Sequence, residues 1–353
     1  MENRRDRFRQ QIARLEGAKD PRVAIEEGFH VPRPVLGERV LRQIELEASA
    51  LRIIVGPIGS GKSTELLWLE RALGELPDVW PMYVDVRGLD DLYAGSLATQ
   101  ASDVLASRTG YGAPYVEQSP WEDSRPRVDL PAFDACLSLA SEGATPVLLF
   151  DSLDRASDAA FLRVIETDVA QLRSMGVGVV LTAPVETLWF QPQVLRAQAD
   201  SWDTLPYEDP NRGEAARDFL LEVLGRRADD EILPERSRHT LIARSGGVLR
   251  DLLELARNAV EEAYVNGHNF VTSADVEASV ARFARGLTLG LDSAAISTLL
   301  AVEASERLDD LNDTAIRLLK NRQVLEHYDA TYGSYFEVHP TLSAALERWA
   351  KAS

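Results

Sequence analysis

The chain reads as an α/β protein: a three-layer parallel sheet, followed by an α-helical lid and a small C-terminal winged-helix domain. Three observations carry this reading. An apolar run, Leu51–Val55, passes through a glycine-rich turn directly into a helical pattern. Further apolar runs at 79–87, 146–151, 177–181 and 202–205 alternate with helical periodicity, the signature of parallel strands with crossover helices. From Tyr207 onward the pattern is helical until two extended segments, 324–328 and 334–338, appear near the end.

Each element has its own signal. In the helix after the first strand, Leu66, Leu69 and Leu73 share a face, and Gly74 is a stop. Pro81 marks the 79–87 strand as bulged or as an edge. Residues 158–175 read as one helix, with Phe161, Ile165, Val169 and Leu172 inward. Helices are predicted over 214–224 and 235–243, and a longer one after Gly246-Gly247 buries Leu249, Leu252, Leu253, Ala256, Val260 and Ala263. Thr272 or Ser273 caps the next. A hairpin turning near Tyr332-Gly333 and a last helix from Pro340, with Leu342, Ala345, Leu346 and Trp349, complete the winged-helix pattern. The expected domains are 1–205, 206–284 and 285–353. The stretch 109–131, with four prolines, Tyr111, Tyr115 and Trp121, is a plain surface loop or a partner-binding insertion.

Composition sets the outer bounds. With 353 residues, 45% hydrophobic and 27% charged, the chain is an ordinary globular protein with room for two or three domains. No apolar run reaches the roughly 18–20 residues that span a bilayer. The single cysteine, Cys136, excludes an internal disulfide framework and fits a reducing, cytoplasmic setting. The net charge of −18 disfavours nucleic acid over most of the surface. The basic stretch is the N-terminus, with Arg4, Arg5, Arg7, Arg9, Arg14, Lys19 and Arg22. It reads as an amphipathic helix with Phe8, Ile12 and Leu15 facing the body.

The strongest motif is Gly56-Pro57-Ile58-Gly59-Ser60-Gly61-Lys62-Ser63, the G-x-x-x-x-G-K-[ST] pattern of a phosphate-binding P-loop, with Thr64 beside it on the helix. Glycines let successive backbone N–H groups curl around phosphate, and the helix directs its positive end there. Lys62 is expected to reach the β- and γ-phosphates of ATP, and the Ser63 hydroxyl to coordinate Mg²⁺. Lys62 is also expected to be exposed when no nucleotide is bound. Pro146-Val147-Leu148-Leu149-Phe150-Asp151 ends a strand in an acid, the Walker B pattern, so Asp151 is the second metal carboxylate.

Many ATPases of this kind place Glu directly after that Asp to orient the attacking water; here the position is Ser152. Either Asp154 replaces the missing acid or hydrolysis is slow. Arg155 is either an arginine finger for a neighbouring subunit or a partner of Asp154 or Asp158.

These motifs in this order resemble AAA+/STAND-type ATPases with the layout of origin-recognition ATPases: core, helical lid, winged helix. The segment Phe150-Asp151-Ser152-Leu153-Asp154-Arg155 is also similar to the Walker B of KAP-type P-loop ATPases. The resemblance implies that Thr182 senses the γ-phosphate from the end of its strand; the alternative is a helix-capping Thr before Pro184. It implies that Arg250, in Ser245-Gly246-Gly247-Val248-Leu249-Arg250, is a lid arginine contacting the γ-phosphate; the alternative is a surface arginine. It implies that Val31 and Pro32 seat the adenine.

The function expected is an ATP-binding regulatory switch that hydrolyses slowly, or when a partner stimulates it. It acts on a protein partner or on a second copy of itself. The alternative is a DNA-acting ATPase of loader or transposition-helper type. Its candidate recognition helix, 313–322, carries Arg317, Lys320 and Arg322, but residues 281–353 hold more acids than bases, and the wing has Glu326, Asp329 and Glu337. DNA is therefore not the favoured partner. A small-molecule kinase would need a phosphoacceptor pocket and an Arg-rich lid, and neither stands out.

Overall fold

The computed structural model describes residues 3–16, 21–33, 37–86, 92–93, 95–116, 127–183, 185–190, 192–329 and 333–352. Arg87, Pro120, Trp121, Pro126, Pro184 and Tyr332, each part of an expectation above, lie outside them. The chain forms two compact units. One comprises Pro32–Gly56 and Lys62–Leu205, the other Met1–Val31, Pro57–Gly61 and Pro206–Ser353. The first 31 residues thus belong with the C-terminal half, whereas the sequence reading groups them with the sheet.

The first unit is built on five parallel strands: β1 (Leu51–Val55), β2 (Val79–Asp85), β3 (Thr145–Asp151), β4 (Gly178–Ala183) and β5 (Ser201–Thr204). Their order is β2-β3-β4-β1-β5. Strands buried on both faces need apolar residues at nearly every position, which is how β1, β3 and β4 read. One face, with Ile53, Val84, Phe150 and Leu181, packs on Leu97, Leu105, Phe133, Phe161 and Leu172. The Lys62–Leu73 helix lies against β2 and β3, and the Gly37–Leu46 helix packs on it in turn.

β2 is an edge strand, as Pro81 predicts. Its Tyr83 N–H donates to Glu70 Oε1 of the Lys62–Leu73 helix at 2.8 Å, which satisfies one donor that a sheet edge leaves open. The 158–175 helix forms with the expected inward face, but Ile165–Val169 is a π turn. The widened turn has a use. The buried Asp168 carboxylate accepts from the N–H groups of Gly95 and Leu97, at 2.7 and 2.9 Å, and so caps the Ser96–Thr109 helix. Within the 109–131 stretch, Tyr115–Val116 pairs with Arg127–Val128.

The second unit is helical. Glu214–Arg227, Glu235–Ser245, Leu249–Val265 and Ser273–Thr288 share a core of Leu220, Leu224, Leu241, Leu252, Ala256, Val260 and Phe283. Thr272 is the N-cap of the last, in a capping box with Asp275. The Arg4–Leu15 helix packs on this core through Phe8 and Leu15, as expected; Arg5 and Arg9 are exposed, whereas Arg4, Arg7 and Arg14 engage neighbouring elements. The Arg4 guanidinium donates to the carbonyls of Ala263, Tyr264 and His268, at the carboxyl end of the Leu249–Val265 helix. Arg7 and Arg14 pair with Glu231 and Asp229.

The C-terminal part has the expected pattern: helices Ser293–Ser305 and Asp313–Lys320, then the antiparallel pair β6 (Val324–Asp329) and β7 (Gly333–Val338), then the Ser343–Ala352 helix. Two of its three candidate DNA-contacting cations are committed elsewhere. Arg317 pairs with Asp292 at 2.9 Å. Arg322 pairs at 2.9 Å with the fully buried Asp251 of the Leu249–Val265 helix. Arg322 occupies the left-handed position after the Asp313–Lys320 helix, at φ 59°, where glycine is the usual residue. Its N–H and that of Gln323 return to the carbonyls of Leu319 and Leu318. His339 Nε2 also approaches Asp251, at 3.4 Å. Burial alone would raise the Asp251 carboxyl, but His339 and Arg322 hold it below its ordinary value.

Arg322→Gly relieves the left-handed backbone yet leaves Asp251 buried without its cation. Breaking such a pair costs roughly 3–5 kcal/mol, against about 1 kcal/mol recovered from the backbone. Urea unfolding at neutral pH is expected to show a clear net loss. Because the Asp251 carboxyl is depressed, its contribution is present above the ordinary value of 3.8 and is lost as pH falls through the folded one, so the deficit narrows in acid below about pH 4. A variant as stable as wild type would show that the ion pair supports nothing.

Candidate phosphate-binding site

The glycine-rich loop runs from β1 into the Lys62–Leu73 helix as its motif requires. Gly59 and Gly61 have φ of 90° and 104°, conformations that side-chain-bearing residues avoid. A Cβ on Gly59 would stand 3.1 Å from Val248 Cγ1 and 3.4 Å from Arg250 Cβ, so the loop's tip packs closely on the start of the Leu249–Val265 helix. Tyr207 Oη donates to the Ile58 carbonyl at 2.7 Å. Pro57, Ile58, Gly59 and Gly61 are half-buried, Gly56 and Ser60 are buried, and Ser63 and Thr64 stand half-exposed in the helix's first turn.

Lys62 is not exposed. Its side chain is only 4% accessible, and Nζ lies 2.8 Å from Asp154 Oδ2 and 2.7 Å from the Gly56 carbonyl. This corrects the expectation of a freely standing lysine. The physical reason is that an ammonium so enclosed requires acceptors, and the 3₁₀ turn Leu153–Arg155 supplies one. Asp154 therefore lies on the P-loop lysine. Arg155 is exposed and makes no ion pair among the described residues.

Asp151 is buried at the carboxyl end of β3. Its Oδ2 accepts from Tyr83 Oη at 2.7 Å, and its Oδ1 from the Ser152 N–H at 2.7 Å. Asp85 stands opposite Asp151 in the β2–β3 register. Thr182 is the last residue but one of β4; it is fully buried, and its hydroxyl has no hydrogen-bond partner among the described residues. Paired residues of parallel strands share a face and side chains alternate, so Asp85, Asp151 and Thr182 project from the same face of three adjacent strands. That face also carries Tyr83, whose N–H the Lys62–Leu73 helix engages.

The remaining expected residues are distributed by unit. Arg250 begins the Leu249–Val265 helix beside Gly59. Val31 is buried in the helical core, and Pro32 is exposed. Sequence reasoning missed Tyr83, Asp85 and Tyr207, because strand or loop residues carry no motif that announces a hydrogen bond to a neighbouring element. Gly246-Gly247 was read as punctuation and as part of the segment leading to Arg250, not as a packing site. A Cβ on Gly247 would meet the Glu208 carbonyl oxygen at 1.6 Å, which makes this glycine a packing requirement.

The strand order, the loop and the buried Asp151 give the first unit a five-stranded parallel α/β core with a P-loop motif, and the second unit combines a helical core with a helix–helix–hairpin–helix part. No family model matches the sequence, and no curated protein matches it. Solved structures similar to it include the Aeropyrum pernix Orc1 protein in complex with DNA, at 15% identity and a TM-score of 0.46, over 92% of this chain and 95% of that one. Drosophila ORC bound to DNA is similar at 16% identity and a TM-score of 0.47, over 96% and 92%. The Thermotoga maritima RuvB Holliday junction branch migration motor is similar at 13% identity and a TM-score of 0.47, over 90% and 95%.

Lys62→Ala strands the Asp154 carboxylate, whose side chain is only 11% accessible. The expected cost is about 1–3 kcal/mol of stability, read as a lower thermal midpoint without nucleotide. An unchanged midpoint would mean that the pair contributes nothing to the fold.

Proposed function

We propose that this protein is an ATP-binding, slowly hydrolysing switch that acts on a protein partner or on a second copy of itself. The observation that carries the reading is Lys62 at the head of the P-loop helix, together with three polar residues, Asp85, Asp151 and Thr182, on one sheet face. The residues fit a triphosphate with its metal. The left-handed Gly59 and Gly61 leave the loop open to backbone recognition of phosphate. Thr182 holds a buried hydroxyl without a partner among the described residues, and such a group calls for one. Ser63 and Asp151 would hold Mg²⁺, which when bound neutralises phosphate charge. Val31 and Pro32 remain the proposed adenine contacts.

Lys62 cannot hold Asp154 and a γ-phosphate with the same protons, so Asp154 competes with the nucleotide. Arg250, beside the loop's tip, is the proposed link from γ-phosphate to lid. Slow turnover follows from Ser152, which lacks a carboxylate. A protein partner is preferred to DNA because Arg317 and Arg322 are held by Asp292 and Asp251. A salt series of DNA binding with and without ATP tests this, and tight binding that weakens steeply with salt would overturn it.

Calorimetry with ATP and ADP checks the site. Wild type is expected to prefer ATP about ten- to a hundredfold, the equivalent of one charge-assisted hydrogen bond of roughly 1.5–3 kcal/mol. Arg250→Ala is expected to bind both nucleotides equally; an intact preference would make it a surface arginine. Asp154→Asn removes the competing charge and is expected to tighten ATP binding about tenfold, or roughly 1.4 kcal/mol. Weaker binding would show that Asp154 assists the nucleotide instead of competing with it.

A further inference from the structure

The position that carries glutamate in comparable ATPases holds Ser152, and Asp154, the nearest substitute in sequence, is held by Lys62. A third carboxylate is nevertheless present. Ser152 has φ 69° and ψ 6°, a left-handed conformation that a serine adopts only when its surroundings impose it. In this conformation its N–H turns back onto Asp151 Oδ1, and its hydroxyl donates to Asp85 Oδ1 at 2.9 Å. Asp85 comes from the neighbouring strand, opposite Asp151 and on the same sheet face.

We infer that Ser152 and Asp85 together replace the missing glutamate: Ser152 orients the water that attacks the γ-phosphate, and Asp85 is the positioning carboxylate behind it. The inference rests on the proposal that ATP binds at this P-loop. The water oxygen forms a bond to the γ-phosphorus, while the bond from that phosphorus to the β–γ bridging oxygen breaks. ADP leaves with that electron pair. The water proton passes to Ser152 Oγ as the serine's own proton passes to Asp85 Oδ1, and Asp85 later releases it to solvent. Atoms and charge balance without any further reactant. A hydroxyl between base and water is a longer path than a direct carboxylate, which accounts for slow rather than absent turnover.

The test uses the full chain, with a fluorescent ADP or ATP as the binding probe. Asp85→Asn is expected to bind ATP as wild type does and to lose about a hundredfold in single-turnover hydrolysis, within the usual range for a positioned acid–base group. A second readout does not depend on turnover. Wild type should trap fluorescent ADP in the presence of aluminium fluoride, and Asp85→Asn should release it as fast as without fluoride. Asp85→Glu should recover part of the rate. Ser152→Glu, which places a carboxylate directly at this position, should restore turnover in the Asp85→Asn background, an effect that a merely structural Asp85 would not allow. Wild-type hydrolysis and trapping in Asp85→Asn overturn the inference and leave nucleotide binding standing, as does a wild type that binds ATP and never hydrolyses it. A wild-type chain that binds no ATP overturns the nucleotide reading, and the inference with it.

Discussion

A lysine ammonium shut away from water must have acceptors, and where they come from determines the geometry at the carboxyl end of this sheet. Lys62 follows β1 and Asp154 follows β3, with β4 between them. Two strand spacings come to roughly 10 Å, a span that a fully extended lysine and a short acid cover together. The pair therefore ties the loop after β1 to the turn after β3 over the end of β4, where Thr182 stands. The Gly56 carbonyl takes a second ammonium proton and fixes the loop's first residue. The tip of the loop itself lies close to Val248 and Arg250, and Tyr207 holds the Ile58 carbonyl.

The helical unit is arranged around a comparable need. Asp251 is fully buried one residue after Arg250, and Arg322 and His339, both from the C-terminal part, balance it. A buried carboxylate is weak evidence for stability in itself, but it specifies which surfaces meet, because any other docking leaves it unpaired. The same logic runs through the N-terminal helix, where Arg4 satisfies three carbonyls at the end of the Leu249–Val265 helix. Cations that read as a nucleic-acid footprint in the sequence are in this way used to join elements.

The sheet was legible because parallel strands buried on both faces are continuous apolar runs, and the P-loop because its spacing is dictated by phosphate chemistry. Asp151 was legible as the acid ending such a run. The engagement of Lys62 by Asp154 was not, since nothing in Ser-Leu-Asp-Arg shows which way a 3₁₀ turn directs its acid. The fate of Arg322 was hidden for a similar reason: helical periodicity continues its face to residue 322, whereas the helix ends at Lys320 and a left-handed residue turns the guanidinium back toward Asp251. The placement of residues 1–31 depended on contacts more than two hundred residues away in the chain, beyond the reach of any local pattern.

Side-chain alternation explains why the acid beside Asp151 comes from another strand. On an extended chain the residue after Asp151 points to the opposite face, toward the core that contains Phe150's neighbours and away from the face that carries Asp85, Asp151 and Thr182. Position 152 serves that face only if the backbone reverses there, and the left-handed φ of Ser152 is that reversal. A left-handed residue costs about 1–3 kcal/mol, and a serine whose N–H and hydroxyl both find carboxylates, on Asp151 and Asp85, offsets it. Asp85 is on the correct face without distortion because it is in register with Asp151. The carboxylate is thus supplied where the sheet presents one unstrained, and the strained position carries the smaller hydroxyl.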